Sequence, residues 1–417
     1  MGAPRLRLLL CAASALAAGC ALGPRSVEQS RLRYNEAVKT TAEQQLLLNI
    51  VRLRYTDNPS SLAVTAIADQ QEVAAGLKAI PFFAADAGGM SFGGYRGSIL
   101  PQAELTRATR PTLSYTPQDD NEFTRRLFTP ISLEGTAYLA KTTWPISTVF
   151  RLYLENLNWV SNAETASGPT PRSPPEFADF LAGITALQRL QDRKLVTLYS
   201  EEREQPLTDG VPAGDQTPAA AVEAAKAGFE YRKDAAGAWA VVRKQTRPVL
   251  RVGAVPADDP DFAAFCRAFK LDPTKRTFPL TAENLDPYLA GAPAGGLDRL
   301  DLETRSLLQV LFFVAHGVEV PPPHAASGAA PQTFGPDGVG FDWGGVLAGL
   351  FKVCWAEGKR PPPAAAVAVF YRGYWFYIDD RDRDTKATFA LLTELSHLEL
   401  GTKAGTAPIL TLPLGGP

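Results

Sequence analysis

The stretch Val367-Ala-Val-Phe-Tyr-Arg-Gly-Tyr-Trp-Phe-Tyr-Ile378 decides the fold class of this chain. Two apolar and aromatic runs flank the dipeptide Arg372-Gly373, which is typical of a tight turn between antiparallel strands. Apolar side chains then recur at helical spacing through residues 385–400, which predicts a helix packed on this β-hairpin. A hairpin followed by such a helix indicates the α+β class.

The rest of the chain mixes helices and short strands in a similar way. Residues 28–55 carry an apolar stripe at helical spacing that ends at Asn58-Pro59, which predicts a long amphipathic helix. We interpret this stripe as packing on the protein's own core. Residues 300–315 are predicted as a further amphipathic helix. Short antiparallel strands without a regular βαβ period favour α+β over α/β.

Changes of composition along the chain predict several segments. In chain order these are a signal peptide over 1–19, a lipidated N-terminus with the amphipathic helix over 20–60, a first α+β domain over 61–204, a linker or insertion over 205–220, and a second α+β domain over 221–417. Proline-rich loops are expected within the second domain at 321–340 and 359–366.

The first twenty residues have the pattern of an export signal. Arg5 and Arg7 precede a short apolar run, which ends in the small residues Ala17-Ala18-Gly19 before Cys20. The run is shorter than a membrane-spanning helix requires. The segment Ala17-Ala18-Gly19-Cys20 resembles the lipobox of bacterial lipoproteins, which implies lipid on the Cys20 thiol. Ala21 after the cysteine implies the outer rather than the inner membrane. An ordinary secretory signal is the alternative.

Composition excludes some functions and leaves others open. The formal net charge is −2 and no polybasic run is present, so we do not expect a nucleic-acid partner. Hydrophobic residues make up 45% of the chain, which is enough to bury ordinary cores. After export, Cys266 and Cys354 could form one disulfide or remain as two free thiols, and both alternatives stay open.

Two local patterns are weak candidates for chemistry. Gly89-Met-Ser91-Phe-Gly93 matches the G-x-S-x-G pattern of serine hydrolases, but the glycine-rich residues after it are a poor helix, so we favour a turn over a Ser91 nucleophile. Asp380, Asp382 and Asp384 alternate as calcium ligands do. The loop lacks the glycine and the distal acid of a calcium site, which favours a salt-bridged, helix-capping turn.

Histidines and cysteines do not predict a metal site. None of His316, His324 and His397 shows the close spacing of zinc ligands with each other or with a cysteine. His316 lies at the predicted end of a helix, where a C-capping role is ordinary. We therefore expect no cofactor.

Aromatic residues concentrate in the C-terminal hairpin, at Tyr371, Tyr374, Trp375 and Tyr377. Strand alternation sends half of the aromatic side chains to each face of the sheet. The outward half is a candidate binding surface if it is exposed, and core if the following helix covers it.

Several segments resemble a widespread family of uncharacterised bacterial lipoproteins. They are the stretches at 33–37, 43–55, 110–117, 167–171, 371–382 and 410–413. The family carries no assigned activity, so the resemblance implies none for this chain.

These patterns favour a membrane-anchored envelope lipoprotein with a structural or interaction role, an envelope protein as partner and no enzymatic activity. One alternative is an envelope hydrolase that uses Ser91 or a carboxylate pair such as Asp380 and Asp382. Another is a carrier of a small apolar ligand, which predicts a cavity on the order of a few hundred Å³ lined by Phe and Leu.

Overall fold

The computed structural model describes residues 32–59, 62–84, 96–117, 121–141, 144–206, 218–233, 239–256, 258–283, 296–400 and 410–413. The chain divides into two compact units. The larger unit takes its residues from 1–59 and 124–400, and the smaller unit from 60–123 and 401–417.

Helices and strands alternate irregularly along the described residues. The helices are α1 (32–54), α2 (Asn121–Phe128), α3 (Leu133–Lys141), α4 (Ile146–Tyr153), α5 (Ala178–Asp192), α6 (Pro218–Lys226), α7 (Pro260–Ala268), α8 (Leu307–Ala315), α9 (Pro322–Ala326), α10 (Gly344–Leu347) and α11 (Arg383–Leu400). The strands are β1 (Leu62–Ala84), β2 (Arg96–Pro117), β3 (Leu154–Leu157), β4 (Val160–Ser161), β5 (Val196–Pro206), β6 (Phe229–Lys233), β7 (Trp239–Val252), β8 (Thr277–Thr281), β9 (Leu300–Thr304), β10 (Cys354–Ala356), β11 (Ala365–Tyr371), β12 (Tyr374–Asp379) and β13 (Leu410–Pro413). The predicted α+β class is confirmed. No helix in the described part of the chain is long and apolar enough to cross a membrane.

The smaller unit contains a long hairpin. β1 and β2 pair antiparallel from Leu62–Pro117 to Ala84–Arg96, and β13 pairs with β2. Strand-like patterns in the sequence span only residues 61–67 and 110–116. In the structure both strands continue well beyond these patterns, because backbone pairing persists along the ladder apart from one irregularity between Val64 and Ala66.

The larger unit contains a seven-stranded sheet in the order β4-β3-β9-β8-β7-β5, with β6 also paired to β7. β8 and β9 are parallel. β5 and β7 lie on either side of the expected linker at 205–220 and pair from Val196–Val252 to Pro206–Val242. The prediction of separate domains over 61–204 and 221–417 is therefore wrong, because strands from both ranges form one sheet.

The C-terminal sheet has the order β10-β12-β11. β11 and β12 form the predicted hairpin, with Tyr371 opposite Tyr374. Arg372 and Gly373 have φ angles of 46° and 92°, the left-handed backbone that a two-residue hairpin turn requires. α11 follows, and its apolar side chains join the core that contains Phe376.

The range 300–315 is not one helix, so the prediction was wrong over its first part. Residues 300–304 form β9, and α8 begins only after Ser306. The Gln309 backbone N–H donates to Ser306 Oγ over 3.3 Å, and the Ser306 backbone N–H donates to Gln309 Oε1 over 2.6 Å. This reciprocal capping box fixes the start of the helix.

Arg305 holds the junction between β9 and α8. Its side chain is fully buried, and its guanidinium lies 4.0 Å from the Phe313 ring centroid. The guanidinium donates to Ser167 Oγ and to the backbone carbonyls of Arg151, Leu152, Leu154 and Asn162. These bonds attach the start of α8 to α4 and β3, and so fix the helix whose other end carries His316.

Candidate functional site

A cavity of about 470 Å³ lies in the larger unit, and we call it the Arg54 cavity. Its lining comes from the end of α1, the residues after α8, and the chain between α9 and α11. The lining side chains that matter for its chemistry are Arg54, His316, Glu319, Phe341, Asp342, Trp343, Lys352 and Asp382. The volume is in the range of small-molecule sites.

Arg54 occupies the last turn of α1 and is only 6% exposed. It lies on the buried stripe of the helix, since Leu47 and Ile50 precede it at helical spacing and are fully buried. One terminal nitrogen, Nη1, donates to the Pro331 carbonyl over 2.6 Å and to Thr170 Oγ1 over 3.3 Å. Burial lowers the pKa of Arg54 to about 10, which leaves the guanidinium charged at neutral pH.

His316 is the C-cap residue of α8, as expected, and is 5% exposed. Its Nδ1 lies 2.7 Å from the Phe312 carbonyl oxygen. A carbonyl can only accept, so Nδ1 carries the proton. Burial, together with the positive charge of Arg54, lowers the pKa of His316 to about 4. At neutral pH the ring is therefore uncharged, and Nε2 is a hydrogen-bond acceptor.

Trp343 packs against His316, with ring centroids 4.0 Å apart and planes tilted by 37°. Phe341 contacts the indole edge-to-face at 5.1 Å. The indole is 8% exposed. Among the described residues, Arg54 Nε, His316 Nε2 and Trp343 Nε1 are buried and have no hydrogen-bond partner. Buried polar atoms without partners are uncommon in folded proteins, and the three side chains that carry these atoms all line this one cavity.

Carboxylates also line the cavity, but each is engaged elsewhere. Glu319 pairs with Lys352 at 2.9 Å. Asp342 accepts from the Gly344 backbone N–H at 2.8 Å. Asp382 caps α11 by accepting from the backbone N–H and hydroxyl of Thr385. Within the described chain, no carboxylate is among the groups that shift the pKa of Arg54.

The two faces of the aromatic hairpin formed by β11 and β12 differ. On the inner face, the Tyr371 hydroxyl donates to Asp57, and Arg372 pairs with Asp57 at 2.8 Å. Tyr374 contacts the His324 ring at 4.9 Å between centroids. Tyr55 Oη lies 2.7 Å from His324 Nδ1. Tyr371 and Tyr374 therefore fasten the hairpin to the end of α1.

The outer face of the C-terminal sheet carries Phe370, Trp375 and Tyr377. Phe370 is 55% exposed, and its ring lies 5.3 Å from that of Trp375. Trp375 Nε1 donates to the Gly358 carbonyl over 3.2 Å. Of the four aromatic residues expected as a binding surface, only Trp375 and Tyr377 belong to this half-exposed outer face.

The alternating aspartates form a turn that caps a helix. Asp380 pairs with Lys386, and Asp382 is the cap of α11. Within the described part of the chain, no group of three or more His, Cys, Asp or Glu side chains is arranged to hold a metal ion. This geometry favours the salt-bridged turn over a calcium loop.

The two cysteines are free thiols. Cys266 is buried on α7, whereas Cys354 is half-buried on β10. Of the open alternatives, the structure therefore contains two thiols rather than a disulfide. Cys20, Ser91 and the side chain of His397 lie outside the part of the chain that is described.

Sequence reasoning missed Arg54 and Trp343. Arg54 carried a signal, because an arginine on the apolar stripe of a helix must find buried partners. Trp343 carried none, since it follows a low-complexity loop. Comparison of the chain with protein-family models, with curated proteins and with solved structures gave no match.

Proposed function

We propose that this protein is an exported lipoprotein of the bacterial cell envelope, held at a membrane by lipid on Cys20. We further propose that it acts there as a non-enzymatic interaction module with an envelope protein as partner. The basic, apolar and small-residue pattern before Cys20 supports the anchor. Ala21 after it favours the outer membrane.

The observation that carries the interaction role is the way α1 is built into the larger unit. α1 is the first described element after Cys20, and its core-facing residues Leu47, Ile50 and Val51 are fully buried. Gln44 Nε2 donates to the Ala368 carbonyl of β11 over 3.4 Å. Together with the Asp57 contacts, this bond fastens the C-terminal sheet to the helix nearest the anchor.

The chain length between anchor and helix limits the distance from the membrane. Eleven residues, 21–31, lie between Cys20 and the first described residue of α1, and an extended chain over that stretch spans at most about 40 Å. An anchored molecule would therefore keep the start of α1 within about 40 Å of the membrane, and the C-terminal sheet contacts this helix at Gln44 and just beyond its end at Asp57. The aromatic outer face of that sheet is the surface that we propose for the partner. Tyr, Trp and Phe are enriched at protein interfaces, which supports a partner on this face.

A site-specific photocrosslink tests the proposal. The photoreactive amino acid p-benzoyl-phenylalanine would replace Phe370, and the matched control would carry it at Tyr138, which is 70% exposed on α3 of the same unit. In intact cells we expect one discrete protein adduct from position 370 and none from position 138. The adduct should be lost in a Cys20→Ala background.

The two halves of the proposal can fail separately. Mass spectrometry of the N-terminal peptide reads the acylation of Cys20 directly. An unmodified Cys20 would refute the anchor. An acylated Cys20 without an adduct at position 370, or with equal adducts at both positions, would refute the interaction role.

A second candidate function is the binding of a small ligand, and the Arg54 cavity favours it. Phe341, Leu347 and Phe351 line part of the cavity, as expected for a carrier of an apolar ligand. The three unpartnered polar atoms are not expected for such a carrier, and they indicate a ligand that also has polar groups.

A further inference from the structure

We infer that the Arg54 cavity binds a small organic acid, whose carboxylate accepts from Arg54 and Trp343 and whose hydroxyl or N–H group donates to His316. This inference rests on the second candidate function, ligand binding in the cavity, and names the ligand class. It is independent of the lipid anchor and of a protein partner.

The positive charge of Arg54 favours an anionic ligand. Arg54 is buried and charged, and its described contacts are neutral oxygens, the Pro331 carbonyl and the Thr170 hydroxyl. A buried cation without a counter-charge is costly, and a bound anion removes most of that cost. The acids of the lining do not supply the counter-charge, because Glu319 pairs with Lys352 and Asp382 caps α11.

The pattern of donors and acceptors narrows the ligand further. Arg54 Nε and Trp343 Nε1 are donors without partners, whereas His316 Nε2 is an acceptor without a partner. An anion alone could accept from the two donors but could not satisfy His316. A ligand with a hydroxyl or N–H group beside its carboxylate offers a partner of the required kind to each of the three atoms, and hydrogen bonds to charged groups are the stronger kind.

The walls of the cavity favour an organic ligand over an inorganic ion. Val318, Leu347 and Phe351 line it together with the Trp343 ring. Its volume of about 470 Å³ is many times that of a single carboxylate or phosphate group. Sites of this size bind small molecules through apolar walls and a few placed polar groups, so the acid should carry an apolar body.

Mandelate is a suitable probe because it combines a carboxylate, an adjacent hydroxyl and a phenyl ring. Isothermal titration calorimetry on the purified full-length chain would compare it with three related compounds. Phenylacetate lacks the hydroxyl, 1-phenyl-1,2-ethanediol lacks the carboxylate, and inorganic phosphate lacks the apolar body. We expect mandelate to bind most tightly, phenylacetate about tenfold more weakly, and the diol and phosphate weakest.

The variant Trp343→Phe removes the indole donor and keeps an aromatic ring against His316. It should weaken mandelate binding about tenfold, the effect of one hydrogen bond to a charged acceptor. The control Trp375→Phe lies on the outer face of the C-terminal sheet and should leave binding unchanged. Far-UV circular dichroism and the urea midpoint would establish that both variants fold.

The possible outcomes test the organic acid and ligand binding in general separately. Tightest binding of mandelate, weakened only by Trp343→Phe, supports both. Equal or tighter binding of the diol would overturn the acid and leave a ligand-binding cavity. Equal or tighter binding of phosphate would overturn the organic ligand. Failure of every compound to bind would overturn the inference and ligand binding together.

Discussion

Replacing Arg305 by methionine should destabilise the larger unit by about 3–5 kcal/mol. The guanidinium donates to one hydroxyl and four carbonyls, all at buried positions. Hydrogen bonds to a charged group contribute roughly 1.5–3 kcal/mol each, but burying the cation costs several kcal/mol and offsets much of their sum. Methionine fills the space and leaves the carbonyls and the buried Glu155 without the charge. Removal of one partner from a buried ionic network costs about 3–5 kcal/mol.

Urea unfolding of the full-length chain, followed by far-UV circular dichroism, would measure this loss. The matched control is Arg299→Met, because Arg299 is 40% exposed and pairs with Glu283 at 3.2 Å. A surface pair contributes little, so the control should change the free energy of unfolding by no more than about 0.5 kcal/mol. If Arg305→Met costs less than about 1 kcal/mol, Arg305 does not hold the start of α8, and the reasoning fails.

Three further predictions concern other parts of the larger unit. Gly183→Ala would place a Cβ 2.6 Å from the Ala268 Cβ. Urea unfolding should therefore show a free energy of unfolding lower by about 1–3 kcal/mol. An unchanged free energy would show that α5 and α7 can separate. Arg193 lowers the pKa of Asp259 below 3.8, so the stabilisation by Asp259 should be present above about pH 4 and be lost as the pH falls below it. In the variant Asp259→Asn, the free energy of unfolding should depend less steeply on pH between about pH 5 and pH 2. An unchanged slope of the free energy against pH would contradict this. In timed iodoacetamide labelling read by mass spectrometry, Cys354 should react before Cys266, whose pKa is raised by burial to about 11. The mass of an internal disulfide would contradict two free thiols.

Local patterns predicted the elements whose stability is local. The hairpin of β11 and β12 followed from two apolar runs around Arg372-Gly373, since a two-residue turn fixes its own register. The stripe of α1 followed from helical spacing, and its interpretation as core packing is confirmed by the full burial of Leu47, Ile50 and Val51.

Long-range pairing could not be predicted in the same way. A segment rich in proline and glycine at 205–220 is compatible with a domain linker and with an insertion between neighbouring strands. The distinction depends on the antiparallel pairing of β5 with β7, from Val196 opposite Val252 to Pro206 opposite Val242, which no local pattern records. Likewise, the apolar pattern of residues 300–315 is compatible with a helix or with a strand. The structure contains one of each, and the cap at Ser306 marks the start of the helix.

The Arg54 cavity shows why a site of this kind escapes local reasoning. Each of its three polar residues has an ordinary local explanation: Arg54 ends a helix, His316 caps another, and Trp343 follows a loop. The sequence can show that Arg54 belongs to a buried stripe, and hence that its charge must find partners. It cannot show that the Pro331 carbonyl, 277 positions further along the chain, accepts from Nη1 while Nε has no partner. All three guanidinium nitrogens of Arg305 are hydrogen-bonded within the protein, so this arginine is structural. Arg54 keeps one nitrogen without a hydrogen-bond partner, and we infer that a ligand binds this arginine.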